Sequence, residues 1–242
     1  PRSGTTLLDT ILRTHSKIEV IEEKEILLEA KESLGKKLSI SDIENLTFEE
    51  TEFARKIYEK KLINFNQDNK SSCVIDKLPL NILEIPLIHK LFPNSKIILA
   101  VRHPLDAILS CWMQIFDLNP AMGNMLELDR VVDFYNEAMT ILELSDKRYS
   151  LEIYTIRYED LVEDMKLEVS ELLAFLDLDW ENNMQLYNET ALERGLVGTP
   201  SYSQVVQPIY KNASYRWENY YNSLEKYFSK IEAWASKFGY VV

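Results

Sequence analysis

The chain is poor in everything that would suggest a disulfide frame, a metal site or a nucleic-acid surface. It has two cysteines, Cys73 and Cys111, both in or beside apolar runs. Two buried free thiols are expected there, not a disulfide or a metal site. Its three histidines (His15, His89 and His103) stand far apart, with no HxxxH or HxxEH spacing, so no metal ligand set is expected. Positive charge is scarce: 27 Lys and Arg stand against 39 Asp and Glu, for a net charge of −12. A general nucleic-acid surface needs a basic face, and that balance excludes one. No apolar run approaches the length that spans a bilayer.

What is present suits one domain with a real core. The chain has 242 residues, 46% hydrophobic and 27% charged, a composition of folded chains rather than disordered ones. No repeat or linker divides it, so residues 1–242 read as a single domain. Short apolar runs at Ile18–Ile21, Cys73–Ile75, Lys96–Val101 and Leu151–Tyr158 read as strands. Helical patterns alternate with them: Thr5 to Arg13, Lys24 to Leu34, Phe48 to Leu62 behind a Thr47–Glu50 capping box, and Asn81 to Leu91 with Pro86 inside it. Further helices are expected over Leu126–Leu144, Leu167–Leu176 and Arg216–Phe238. The alternation predicts an α/β fold: a P-loop-like three-layer domain whose central, mostly parallel sheet is flanked by helices. The stretch from Gly195 to Tyr215 has no period and reads as a long functional loop.

The chain opens on Pro1-Arg2-Ser3-Gly4-Thr5-Thr6, directly before the first helical pattern. A Gly- and hydroxyl-bearing turn at a helix N-terminus is an anion site, because unpaired N–H groups and the helix dipole both favour negative charge. An ordinary helix cap at Ser3 or Thr5 is the plainer alternative. The Walker Lys-Ser/Thr pair is absent, since Thr5 follows Gly4. Such a loop normally follows a strand, so an N-terminally truncated chain lacking its first strand is expected. Any targeting segment would be lost with that strand. The compartment therefore stays open, with the cytoplasm expected for a bacterial chain.

Ligands of parallel sheets bind beyond the carboxyl ends of the strands. Polar groups are expected at those ends in four places: the Arg2–Thr6 loop, Glu22-Glu23, Asp76-Lys77, and Arg102 with Ser110 eight residues on. Cations gathered in an acidic protein predict a ligand with several negative charges.

These motifs resemble the sulfotransferases that use 3′-phosphoadenylyl sulfate (PAPS). Pro1–Thr6 is similar to their 5′-phosphosulfate loop and Val101–Ser110 to their 3′-phosphate motif. Asp76–Pro79, Leu91–Lys96, Arg157–Leu161 and Ser201–Tyr210 extend the resemblance over nearly the whole chain. The last is typical of the branch holding the protein-tyrosine sulfotransferases and bacterial relatives linked to tetratricopeptide repeats.

The resemblance implies roles. Ser3, Gly4, Thr5 and Thr6 would cradle the phosphosulfate, and Arg2 and Lys77 would stabilise charge on the transferring group. Arg102 and Ser110 would bind the 3′-phosphate, and Tyr158 would line the nucleotide site. Ser201 and Arg216 would close over the donor. Glu23 would be the general base, with Glu22 as the alternative. PAPS would be the donor, no metal would be required, and the acceptor would carry a hydroxyl: a sugar, a small alcohol or phenol, or a peptide tyrosine. Relatives that sulfate acidic tyrosine peptides often carry Arg at the positions occupied here by Glu25 and Glu29. Carboxylates there favour a neutral or basic acceptor. The competing functions are a small-molecule P-loop kinase and a non-catalytic nucleotide-binding pseudoenzyme. The sequence leaves the oligomeric state open.

Overall fold

The computed structural model describes residues 1–35, 38–65, 71–114, 122–193 and 214–242. Its β-branched runs form strands where the pattern marks them. Strand β1 (Ile18–Glu22) lies parallel to β2 (Cys73–Lys77), with Ile18 opposite Cys73 and Glu22 opposite Lys77. Strand β3 (Ile97–Val101) lies parallel to β4 (Ile153–Arg157), with Val101 opposite Arg157. The expected single sheet is thus two parallel pairs among the described residues. The unpaired sides of β2 and β3 line one cavity of about 1010 Å³, together with Pro1. Both strands are consequently only half-buried until their last residues, Lys77 and Val101. Cys73 and Cys111 are free, as expected, but Cys73 is only half-buried because it lies on that open edge.

Helices cover the pairs. Helix α1 (Thr5–Leu12) buries Leu8, Ile11 and Leu12, the spacing of one helix face, against β1, β4 and α9 (Met165–Phe175). Ile11 is fully buried, a placement that contributes roughly 1.5–3 kcal/mol relative to exposure. Helices α2 (Ile26–Glu32), α3 (Ile40–Glu44), α4 (Phe48–Phe65) and α5 (Ile85–Leu91) share a second cluster around Leu27, Leu87 and Leu91. Helices α6 (Pro104–Trp112) and α7 (Leu128–Tyr149) form a third with the C-terminal helix Phe228–Lys237. Helix α8 (Tyr158–Glu163) follows β4 directly.

The capping box forms: Thr47 N–H donates to Glu50 Oε2 at 2.9 Å, and Glu50 N–H donates back to Thr47 Oγ1 at 3.2 Å. Helix α5 starts late, after a 3₁₀ turn over Pro79–Glu84, because Pro86 has no N–H and fits only the first turn. The closing helix expected over Arg216–Phe238 is broken. A 3₁₀ turn (Arg216–Tyr220), a short helix (Tyr221–Leu224) and another 3₁₀ turn (Glu225–Tyr227) precede Phe228–Lys237. Aromatic residues and Asn have weak helix propensity. The rings of Trp217, Tyr221 and Phe228 pack edge-on at 5.7 and 5.1 Å instead of following one helix face.

Candidate active site

Gly4 is the N-cap of α1 and has φ +87°, a conformation open to glycine and costly for other residues. No side chain caps α1, and its first turn holds no acidic residue. The helix N-terminus therefore presents its donors and its positive end to a ligand. Ser3 and Thr5 line the large cavity, as do Asp9, Lys77 and Arg102. Thr6 is buried, and its carbonyl accepts from Thr10 Oγ1. Above Gly4 lies Tyr158, the first residue of α8. A Cβ added to Gly4 would meet Tyr158 Cδ2 at 2.6 Å.

A charged cluster stands where β1 and β2 end. The ladder register puts Glu22 opposite Lys77, and Glu23 N–H continues the pairing by donating to the Lys77 carbonyl at 2.7 Å. Lys77 Nζ lies 2.9 Å from Glu23 Oε1, 3.3 Å from Glu22 Oε1 and 3.0 Å from Asp9 Oδ2. Arg13 joins Glu22 at 3.8 Å. Burial lowers the lysine's pKa, but Asp9, Glu23 and Glu22 together outweigh it and hold Lys77 above the ordinary lysine range. Burial pushes the Asp9 carboxyl up to about 6 against the opposing pull of Lys77. Glu23 is the exposed member, at 39%. Its backbone is left-handed, φ +50°, and so is that of Arg2, φ +61°. Non-glycine residues held there store strain of order 1–3 kcal/mol each, which is commonly found at functional sites.

A second cluster joins the loop to the end of β3. Arg2 Nε donates to Ser110 Oγ at 3.0 Å. Arg102 donates from Nη1 to the Arg2 carbonyl at 3.4 Å, pairs with Asp106 at 3.5 Å, and sits over the Tyr158 ring at 5.3 Å. Arg102, His103 and Asp106 are all buried. The sequence pattern of the Sulfotransferase family matches residues 1–182, which takes in both clusters.

The chain belongs to the sulfotransferase family. It is 30% identical over 241 residues to an uncharacterized protein of Aquifex aeolicus (strain VF5), covering 96% of this chain and 30% of that protein. It is 25% identical over 233 residues to protein-tyrosine sulfotransferase 1 of Danio rerio, covering 90% of this chain and 63% of that one. Protein-tyrosine sulfotransferase A of Caenorhabditis elegans is 23% identical over 235 residues, 90% of this chain and 59% of that one. The chain thus spans less than two-thirds of each of these relatives. Among solved structures, the sulfotransferase domain from the curacin biosynthetic pathway superposes with a TM-score of 0.62 at 18% identity, covering 100% of this chain and 95% of that one. The sulfotransferase domain from the Synechococcus PCC 7002 olefin synthase gives 0.57 at 20% identity, over 90% and 84%.

Two expected site residues remain, Arg216 and Ser201. Arg216 is exposed, and its carbonyl accepts from Asn219 Nδ2. Its neighbour Trp217 does reach the second cluster: the backbone N–H donates to Asp106 Oδ1 at 2.9 Å, and the ring stacks on His103 at 4.8 Å. Ser201 lies outside the described residues. His15 is buried and contacts the Asp179 carbonyl through Nε2, while His103 holds the Val241 carbonyl through Nε2, both at 3.0 Å. Both rings are structural latches.

Sequence reasoning missed Asp9 and Glu159. Glu159 Oε1 accepts the His103 N–H at 3.1 Å, and its Oε2 accepts from Tyr240 at 2.6 Å, tying the C-terminus to the Arg102 motif. The one signal for Asp9 was an acid on an otherwise apolar helix face. Among the described residues no group of three or more His, Cys, Asp or Glu is arranged to hold a metal ion. No helix there is long and apolar enough to cross a membrane.

Proposed function

We propose that this sulfotransferase moves the sulfuryl group of PAPS to a hydroxyl acceptor by in-line displacement, with Glu23 as general base. The observation that carries the reading is the 2.9 Å approach of Lys77 Nζ to Glu23 Oε1 at the end of β1 and β2, with Lys77 lining the same cavity as Ser3 and Thr5 of the uncapped α1 loop. A base and a cation side by side are what the reaction asks for. The acceptor O–H gives its proton to the Glu23 carboxylate. Its oxygen forms the new O–S bond while the bond from sulfur to the phosphate oxygen breaks. The leaving group is 3′-phosphoadenosine 5′-phosphate. Like phosphoryl transfer, the step needs positioning and charge stabilisation more than covalent help.

In this reading the α1 N–H groups, Ser3, Thr5 and Thr6 hold the phosphosulfate, and Lys77 meets charge on the leaving oxygen. Arg102 and Ser110 hold the 3′-phosphate, with Tyr158 packed on Arg102, and Arg2, bonded to Ser110, joins Lys77 in meeting charge on the transferring group. The reaction needs no metal, since cations of the chain do that work. Glu25 and Glu29, two and six residues after Glu23, are exposed. Lys61 offsets Glu29 at 2.6 Å, and Glu25 has no ion pair among the described residues. A neutral or basic acceptor fits this rim: a sugar, a small alcohol or phenol, or a tyrosine outside an acidic sequence. The names of the animal relatives bring a peptide tyrosine into that set.

The test is incubation with labelled PAPS and pooled acceptors, with calorimetry of PAPS against ATP, each with and without Mg²⁺. Metal-independent PAPS binding with transfer supports the proposal. Mg²⁺-dependent ATP binding favours a kinase, and PAPS binding without transfer to any acceptor favours a binding module.

A further inference from the structure

Asp9 stands outside the loop, the base and the Arg102 motif, yet its carboxylate is 2% exposed and 3.0 Å from Lys77 Nζ. Lys77 is therefore shared by Asp9, Glu22 and Glu23, three carboxylates in very different settings. Asp9 is fixed on α1, between the buried Leu8 and Thr10. Glu22 is divided between Lys77 and Arg13. Glu23 is 39% exposed, on a backbone turn at the end of the ladder. A buried ion pair left without one partner is strongly destabilised, whereas a partly exposed carboxylate can exchange its partner for water.

We propose that Asp9 is the resident counter-ion of Lys77 and that Glu23 is the exchangeable one. An arriving anion takes the place of Glu23 at the ammonium while Asp9 keeps Lys77 anchored at the sheet edge. The inference rests on the sulfuryl-transfer reading of the site and deepens it. It explains how a base held by a lysine becomes free to accept a proton when the donor binds. Five charged groups meet here: Asp9, Glu22 and Glu23 against Lys77 and Arg13. Their excess of one negative charge means that an incoming anion expels the most exposed carboxylate first. Asp9 is a positioning residue in this account, acting on the reaction through Lys77.

The test needs no donor. Lys77 in the 242-residue chain is labelled with acetic anhydride and its modification followed by peptide mass spectrometry. Asp9→Asn frees the ammonium and lowers its pKa, so labelling accelerates by at least about tenfold, the effect of one pKa unit. Glu23→Gln accelerates it less than Asp9→Asn does, because water replaces the exposed carboxylate while the resident partner stays. Equal acceleration in both variants, or none in Asp9→Asn, overturns the proposal. If Asp9→Asn does not fold, Asp9→Glu keeps the charge but displaces it by one methylene, and an intermediate rate is expected; a rate equal to wild type overturns the proposal. Where turnover exists, Asp9→Asn lowers kcat with the donor KM nearly unchanged, and Asp9→Glu restores part of it. A parallel fall in donor affinity would mark a merely structural role. Absence of turnover in the wild type would reject the sulfuryl-transfer reading and leave the labelling result standing.

Discussion

The Tyr158 ring closes over Gly4 so tightly that a methyl group there would meet Cδ2 at 2.6 Å. Gly4 is thus required twice: for its φ of +87° and for the room Tyr158 leaves it. Gly4→Ala should cost about 1–3 kcal/mol at the loop and weaken 3′,5′-ADP binding by at least about tenfold. Adding Tyr158→Ala removes the clash but not the backbone cost, so calorimetry of the double variant should show partial recovery at most.

Arg102 is buried, joined to the loop carbonyl of Arg2 and to Asp106. A guanidinium so held suits a phosphate oxygen, with charge-assisted bonds worth roughly 1.5–3 kcal/mol each. Arg102→Ala should abolish the preference for adenosine 3′,5′-bisphosphate over adenosine 5′-phosphate. Two titrations measure this, and normal binding of the bisphosphate by the variant would refute the assignment.

The acid at Asp9 sets a pH dependence with a definite sign. Its folded value of about 6 lies above its ordinary 3.8 because burial disfavours the charge. The native state therefore keeps a proton the unfolded chain has lost, and stability falls as pH rises through that window. The contribution is full below about pH 4 and is lost as pH rises through about 6. Asp9→Asn removes it. Denaturation from about pH 4 to about pH 6.5 should show the variant gaining on wild type as pH rises.

Much of this was readable in the chain. The strand ends, the Gly4 turn and the position of Arg102 follow from local pattern, because β-branched runs, glycine and Pro104 act within a few residues. Asp9 and Glu159 were not readable, since each gains meaning only from a partner distant in sequence, Lys77 or Tyr240. The break after Tyr220 was hidden because ring packing among Trp217, Tyr221 and Phe228 overrides the helical pattern. The grouping of Arg2 with Ser110 was expected from their places beyond strand ends, and helix α6 brings Ser110 back to the loop.

The central claim is that Glu23 takes the acceptor proton while other groups bind the donor. Single-turnover transfer from labelled PAPS by Glu23→Gln, with 3′,5′-ADP affinity measured on the same preparation, tests it most directly. The account predicts affinity within a fewfold of wild type and a transfer rate lower by roughly 10²–10⁴-fold. Transfer at the wild-type rate by a variant that binds normally would contradict it.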